Sequence, residues 1–293
     1  MIDMQILVNG FVLGLAIALL AAAFQLVYLP TRVFFLALAA LFTLAPYLVK
    51  ASYALFGSWV LSVAIALAGV CALSISCELF NHARLARRGA SDGSHLLSSL
   101  GTYILFVQIA AMAWGSGTQT LRTAADTPVQ VGDIVLTYSQ LVTASVAGAL
   151  LVGFVTLLWT TALGLRLRAL ANSAEQFARY GYDPGIHRLT AFGLAGLLAA
   201  CASLVTAYDI GFDLYGGLHV VLLAVSAVII GGRTSFIGPI AGGILLGLVR
   251  EQVSWNLSAL WQDAATFLLL AAFLLLRPAG LFGHKTRIES VAS

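Results

Sequence analysis

The sequence predicts an all-α fold, a polytopic transmembrane helical bundle of about eight to ten spans. The first reason is a shortage of charge: 9% of the 293 residues are charged, whereas a soluble domain has about 25%. The second is an apolar excess, with 60% hydrophobic residues and a mean hydropathy of +0.98. The third is a series of apolar runs near the length that crosses a bilayer. We therefore expect a multi-pass protein surrounded by membrane lipid.

About nine apolar runs are candidate membrane spans, since a helix of about 20 residues crosses the bilayer. Pro46 is expected to break or kink the second run, because proline removes a backbone donor. The seventh and eighth runs are short, so they are either two full spans or a re-entrant pair of half-helices. Their dense glycines predict close packing between helix backbones. In chain order the runs cover residues 6–28, 33–49, 57–79, 94–114, 140–164, 189–208, 218–230, 236–249 and 262–276.

Lys and Arg residues are expected to collect on the cytoplasmic side of a membrane protein. With the N-terminus outside, about 12 of the 15 Lys and Arg residues fall inside, and the opposite orientation inverts this ratio. The sequence therefore predicts an N-out, C-in topology. We expect residues 1–283 to form a single transmembrane domain with a cytoplasmic loop at 165–188, and residues 284–293 to form a cytoplasmic tail. The cytoplasmic set is Arg32, Arg84, Arg87, Arg88, Arg166, Arg168, Arg179, Arg188, Arg233, Arg277, Lys285 and Arg287.

A polar, basic segment follows the fifth apolar run. Residues 173–176 read Ser-Ala-Glu-Gln, which is the pattern of a capping box at the start of a helix. Glu175 and Arg179 are four residues apart, in the favourable order for a helical ion pair. Gly181 is placed to follow the last turn, and Pro184 is expected to prevent the helix from resuming. The segment therefore predicts one short helix outside the membrane.

This short helix has a modest apolar face with charged residues beside it. Leu170, Ala174, Phe177 and Ala178 fall on one side at helical spacing. Two interpretations remain open from the residues alone. The helix is either an ordinary solvated element of a loop, or a helix that docks a soluble partner.

The sequence does not predict catalytic chemistry. The spans contain no convergent set of polar side chains, so no catalytic residue is assigned. Residues 231–235 read Gly-Gly-Arg-Thr-Ser, the closest approach to a phosphate-binding loop, but the lysine that such a loop needs is missing. We therefore expect no ATP and no other cofactor on this chain. The net charge of +3 does not indicate nucleic acid as a partner.

Metal binding and ion coupling are also not predicted. Glu78 and His82 have the spacing of a helical ligand pair, but a third ligand is missing. Arg84, Arg87 and Arg88 offer Glu78 simpler partners. No other carboxylate lies deep in a predicted span, and ion-coupled carriers usually place acidic side chains there. The sequence therefore argues against a proton antiporter.

Neutral polar side chains are what remains in the spans. Ser and Thr usually bond to the carbonyls of their own helix. Gln25 and Gln108 are costlier to bury, and they are therefore better candidates to face a pathway or another helix. Tyr47 is beside Pro46, where a broken helix would expose it to a pore. These three residues are the candidates for the translocation path.

Spaced glycine motifs fill the second half of the chain. The loop reads Thr161-x-x-Gly164-x-x-x-Arg168-Ala169, followed by Ala178 and Gly181. Further motifs are Ala191-Phe192 with Gly193 and Gly196, Tyr215-Gly216-Gly217, Gly231-Gly232-x-x-Ser235, Gly238-Pro239-x-Ala241-Gly242-Gly243, Leu246-Gly247-Leu248 and Arg277-Pro278-Ala279-Gly280-Leu281-Phe282-Gly283. Over residues 161–283 the chain resembles the LivH-type permeases, the membrane subunits of branched-chain amino acid ABC importers. Residues 31–38 differ from the stretch that this family usually has there.

The resemblance implies that loop 165–188 is a coupling segment that fits a groove on a separate ABC ATPase subunit. ATP and Mg would bind that partner, not this chain. Closure of two ATPase subunits would switch paired permeases between outward-open and inward-open forms. The residues assigned to coupling are Arg168, Ala169, Ser173, Ala174, Glu175, Phe177, Ala178, Arg179 and Gly181.

The resemblance also implies two further partners: a second permease subunit of the LivM type, and a periplasmic or lipid-anchored solute-binding protein. The expected function is inward transport of a small polar solute, a branched-chain or hydrophobic amino acid, across the bacterial plasma (inner) membrane. Two alternatives stay open. One is the permease of a urea or short-amide ABC importer, and the other is a passive channel or secondary carrier for a small neutral solute.

Overall fold

The computed structural model describes residues 2–122, 127–131 and 134–283. The predicted tail at 284–293, with Lys285 and Arg287, lies outside the described residues. The helices are α1 (Ile2–Thr31), α2 (Leu38–Phe56), α3 (Trp59–Cys77), α4 (Ala83–Arg87), α5 (Asp92–Trp114), α6 (Tyr138–Thr160), α7 (Ala162–Asn172), α8 (Ala174–Arg179), α9 (Pro184–Asp209), α10 (Gly216–Gly231), α11 (Gly238–Asn256) and α12 (Gln262–Leu276). One π-helical turn, Glu78–His82, joins α3 to α4, and one 3-10 turn, Ala259–Trp261, precedes α12.

Long apolar helices dominate the described part of the chain. Seven of them are long and apolar enough to cross a membrane, and α10 is a shorter apolar helix of 16 residues. The two described strands, β1 (Pro128–Val131) and β2 (Ile134–Thr137), form an antiparallel hairpin that precedes α6. Gln5 ties this hairpin to the start of α1, because its side-chain amide accepts from Val135 N and donates to Val135 O. The predicted all-α bundle is confirmed.

The helices α1 and α11 pack backbone against backbone. A Cβ on Gly247 would clash with Gly14 Cα, and a Cβ on Gly243 would lie 2.5 Å from Ala18 Cα. The dense glycines therefore act as predicted, because small residues let helices approach closely in lipid. At the other end of the pair, Gln25 contacts the segment that precedes α11. Helix α11 therefore packs along α1 from Gly10 to Ala18, and both alternatives for the seventh and eighth runs stay predictions.

Of the break or kink expected at Pro46, the break is wrong and the kink stays a prediction. Helix α2 continues through Pro46 from Leu38 to Phe56. Pro46 is buried, and in membrane helices neighbouring helices commonly support the backbone around a proline. Here α3, α5, α9 and α10 all pack against α2. Burial of the helix thus outweighs the local cost of the proline.

The glycine motifs at the end of α10, at the start of α11 and after α12 form one packed corner. Leu281 N donates to Ile230 O and Phe282 N to Gly231 O, both at 2.9 Å. These bonds satisfy carbonyls at the end of α10 that have no partner within the helix. A Cβ on Gly280 would lie 2.5 Å from Gly232 Cα. The terminal Arg-Pro-Ala-Gly-Leu-Phe-Gly motif therefore holds the segment after α12 against the end of α10.

Candidate functional site

The polar segment begins with a sharp turn between α6 and α7. Thr161 caps α7, with its Oγ1 accepting from Gly164 N at 3.1 Å and donating to Leu157 O at 2.6 Å. A Cβ on Gly164 would clash with Leu158 O and Leu157 O. The Thr-x-x-Gly spacing is thus explained by the turn itself, because only glycine fits at the fourth position. The turn directs α7 back along the end of the bundle.

The segment contains two helices where the sequence predicts one. Ser173 separates α7 from α8 with an extended backbone (φ −158, ψ 111) and caps α8 by accepting from Gln176 N at 3.2 Å. Only this half of the predicted capping box is present. The Ser173 N–H donates to Ala169 O at 3.2 Å, which closes the end of α7. The backbone group that Gln176 would have satisfied is therefore already used by the preceding helix.

The end of α8 follows the prediction, but the role of Pro184 does not. Glu175 and Arg179 form an ion pair at 2.7 Å with side chains 77% and 75% exposed, and Gly181 is left-handed with φ 84. Pro184 does not end α8. It occupies the first turn of α9, where proline is well tolerated, and Asp183 caps that helix by accepting from Gly185 N at 2.7 Å.

The predicted apolar face is divided between the inside and the outside. Leu170 and Phe177 are buried, whereas Ala174 and Ala178 are exposed. The Phe177 ring lies 5.1 Å from the ring of Tyr182 and 5.0 Å from that of His187. Phe177 therefore anchors α8 to the start of α9, and its side chain is 3% exposed, at the wall of a groove on α7 and α8. The orientation of Phe177 depends on Tyr182 and His187, which lie outside α8 and are therefore not considered when the faces of this helix are predicted.

The outer side of α7 and α8 forms a groove of about 420 Å³. Ala169, Ser173 and Gln176 line it, with Arg166 and Tyr182 at the side where α9 begins. Arg166 stacks over the Tyr182 ring at 5.1 Å. Among the residues assigned to coupling, those on the exposed surface are Ala169, Ala174, Glu175, Ala178, Arg179 and Gly181. The groove and this surface can receive side chains of another protein.

Arg168 is on a different side of α7 from this groove. Its guanidinium lies 4.4 Å from the centre of the Trp159 ring, and both side chains line a separate cavity beneath α7. Its Nε is buried without a hydrogen-bond partner among the described residues. Arg168 and Ala169 are adjacent in the sequence motif, but Arg168 lines this cavity whereas Ala169 lines the groove.

A buried ion pair connects the start of α9 to the π-helical turn after α3. Arg188 donates to both carboxylate oxygens of Glu78, at 2.6 and 3.3 Å, and the Glu78 side chain is 2% exposed. The expected pairing of Glu78 with Arg84, Arg87 or Arg88 is wrong. The true partner is 110 residues away, and no local pattern indicates it.

The second residue of the suspected ligand pair has a different neighbour. His82 Nδ1 lies 3.2 Å from His95 Nδ1, and the Phe35 and Phe192 rings pack around His82. No group of three potential metal ligands occurs in the described part of the chain. π-Helical turns are often found at functional sites, and this one carries the ion pair that contacts the polar segment.

The three candidates for the translocation path are in three different environments. Gln25 is buried and donates to Arg233 O at 2.9 Å and Ser235 O at 2.8 Å, so it ties α1 to the connection before α11. Tyr47 is buried between the rings of Trp114 and Phe212, and its hydroxyl has no partner among the described residues. Gln108 is exposed on α5. The structure does not bring these three side chains together.

These features define a class of protein: a multi-pass helical bundle with a capped pair of polar helices at one end, which is the architecture of a membrane permease. The chain belongs to the family of permease components of the branched-chain amino acid transport system, whose family model matches residues 6–276. It is therefore a transport permease and not an enzyme, and it is a multi-pass protein of the inner membrane.

Curated relatives agree over nearly the whole chain. The high-affinity branched-chain amino acid transport system permease protein BraD of Pseudomonas aeruginosa is 25% identical over 301 residues, covering 98% of both chains. The corresponding protein LivH of Salmonella typhimurium is 25% identical, covering 98% of this chain and 97% of the relative. Among solved structures, PsaBC from Streptococcus pneumoniae in complex with Fab superposes with a TM-score of 0.50 at 13% identity, covering 93% of this chain and 89% of that one. This last likeness shows the fold alone.

Proposed function

We propose that this chain is the membrane-spanning subunit of an ABC importer that moves a small polar solute inward, coupled to a separate ATPase through residues 165–188. The observation that carries the proposal is the exposed surface of α7 and α8 with its groove of about 420 Å³. An ordinary solvated loop would not require two helices, each with its own N-cap residue, and a groove on their surface. The relatives' names support a branched-chain amino acid as the solute.

A rigid connection joins this surface to the bundle. Phe177 on α8 packs against His187 on α9, and the next residue, Arg188, holds Glu78 on the π-helical turn. A displacement of α8 by an ATPase would therefore move the start of α9 and the end of α3 together. ATP and Mg would bind the ATPase, which supplies the energy, and this chain would convert that movement into opening and closing.

The face of α5 that includes Gln108 is the proposed contact with a second, LivM-type permease subunit. Other exposed polar side chains in the spans, such as Ser76, Ser145 and Thr156, donate to carbonyls of their own helix. The exposed Gln108 has no such bond, and an unsatisfied amide facing lipid is costly. A pathway between two permeases would give it water, solute or a partner. A periplasmic or lipid-anchored solute-binding protein would deliver the solute to the opposite face.

The experiment that tests the coupling fills the groove. Ala169→Trp places an indole in it, and we expect copurification of the ATPase subunit and solute uptake each to fall more than about tenfold, which corresponds to about 1.4 kcal/mol. Ala271→Trp adds the same bulk on the exposed side of α12 and should leave both unchanged. The melting temperature of each variant shows whether the bundle is intact. Unchanged copurification and uptake for folded Ala169→Trp would contradict the proposal and favour a passive channel.

A further inference from the structure

A cavity of about 590 Å³ lies beneath α7, where the ends of α1 and α6 meet the connection between α10 and α11. Arg32 and Arg168 line it together with the neutral polar side chains of Asn172 and Thr234. Leu29, Leu158, Trp159, Phe236 and Ile237 supply an apolar wall. The lining includes two cationic side chains and no carboxylate.

In the part of the chain that the structure describes, the two arginines of this cavity have no carboxylate counter-ion, a property that they share with Arg166 but not with every arginine. Arg179, Arg188 and Arg250 each pair with a carboxylate. Within the described ranges, no carboxylate lies within 4.0 Å of Arg32 or Arg168. Arg168 is held in place by the Trp159 ring at 4.4 Å, so its charge is positioned but not neutralised. A planar guanidinium fixed in this way binds phosphate oxygens well.

An apolar groove of about 500 Å³ lies between α1, α6 and α11. Phe11 and Leu15 of α1, Val152 and Val155 of α6, and Ile240 of α11 are among the residues that line it. Its lining reaches Thr156 on α6, less than one helical turn before Leu158 and Trp159 of the cationic cavity. A groove of this kind on the outside of a bundle is the shape that an acyl chain fills.

We propose that this cavity and the apolar groove bind one anionic phospholipid, with its phosphate between Arg32 and Arg168 and an acyl chain along α6. Trp159 is placed at the junction, as tryptophan commonly is at the level of lipid headgroups. A free phosphate would use the arginines but would leave the groove unexplained. The bound lipid would hold α7 against the bundle. The lipid site does not depend on an ATPase.

The test measures lipid binding to the full chain by native mass spectrometry, with phosphatidylglycerol and phosphatidylcholine of identical acyl chains. We expect the wild-type chain to prefer phosphatidylglycerol, and Arg168→Gln to reduce that preference about fivefold, the ratio expected for about 1 kcal/mol per arginine. Arg32→Asn should give a similar loss. Arg32 has a left-handed backbone (φ 57), which asparagine tolerates better than most residues, so this variant should fold even if Arg168→Gln does not.

Arg166→Gln is the matched control, because Arg166 is on the same helix but does not line the cavity. It should keep the wild-type preference. Equal binding of the two lipids by the wild-type chain would overturn the proposal. So would an equal loss in all three variants, which would indicate general surface attraction. If soluble glycerol phosphate displaces the lipid at concentrations close to those of the lipid, the site takes a free phosphate and the lipid assignment is wrong.

Discussion

The helix pair α1–α11 and the polar pair α7–α8 are held in place in opposite ways. In the first, backbones touch at Gly14 and Gly247, so the packing has no room for change. In the second, α8 is held by caps and by one buried ring, that of Phe177. The first pair forms a rigid unit within the membrane. The second is a small element tied through Phe177 and His187 to α9, and through Arg188 and Glu78 to the end of α3, so a displacement of it would reach those helices.

The largest effect is expected at the α1–α11 contact. Gly247→Leu inserts a side chain where a Cβ already clashes with the Gly14 backbone, so the helices must separate. We expect a destabilisation of more than about 3 kcal/mol, the upper range for overpacking, and poor accumulation of folded protein.

The control for this variant is Gly153→Leu on α6, where a Cβ meets nothing within 4 Å. Leucine there should be neutral or slightly stabilising, because glycine is a poor helix former. Melting temperatures in detergent compare the two. Similar melting temperatures would show that α1 and α11 do not depend on direct backbone contact.

A smaller effect is expected from the two carboxylates that pair with arginine. Glu78→Gln removes the charge that pairs with Arg188 in a buried site. We expect the free energy of unfolding to fall by about 3 kcal/mol. Glu175→Gln breaks an exposed pair and should change the free energy of unfolding by less than about 0.5 kcal/mol. Denaturation in a detergent series measures both. Equal small changes would mean that the link between α9 and the π-helical turn is not tight.

The sequence predicts the membrane spans and their packing better than it predicts the side-chain contacts between distant segments. The spans and the close contact of glycine helices were predictable, because length, hydropathy and residue size act locally. The partner of Glu78 was not, because Arg188 is distant in the chain and nearer arginines exist. The acceptors of Gln25 were not predictable either, since they are the Arg233 and Ser235 carbonyls of a connection far along the chain.

Within the polar segment, local rules predicted the ends of helices better than their surroundings. The Ser173 cap, the Glu175–Arg179 pair and the left-handed Gly181 follow from short-range chemistry. The burial of Phe177 does not, because it depends on Tyr182 and His187. The coupling role of the exposed residues stays a prediction. Assigning it requires the partner's surface, which no feature of this chain specifies.

The smallest effect is expected at Gly181, which follows α8. A substitution there tests the backbone conformation alone, because an added side chain would contact nothing. Gly181 has φ 84, and a Cβ there would meet nothing within 4 Å, so Gly181→Ala would be strained by conformation alone. We expect a cost of roughly 1 kcal/mol, seen as faster hydrogen exchange in α8 with little change in the spans. Gly181→Asn should recover part of the loss, because asparagine visits the left-handed region more readily. If alanine and asparagine behave alike, or if exchange rises throughout the bundle, then the end of α8 is not set by the backbone of Gly181 in the way that its contrast with α1–α11 implies.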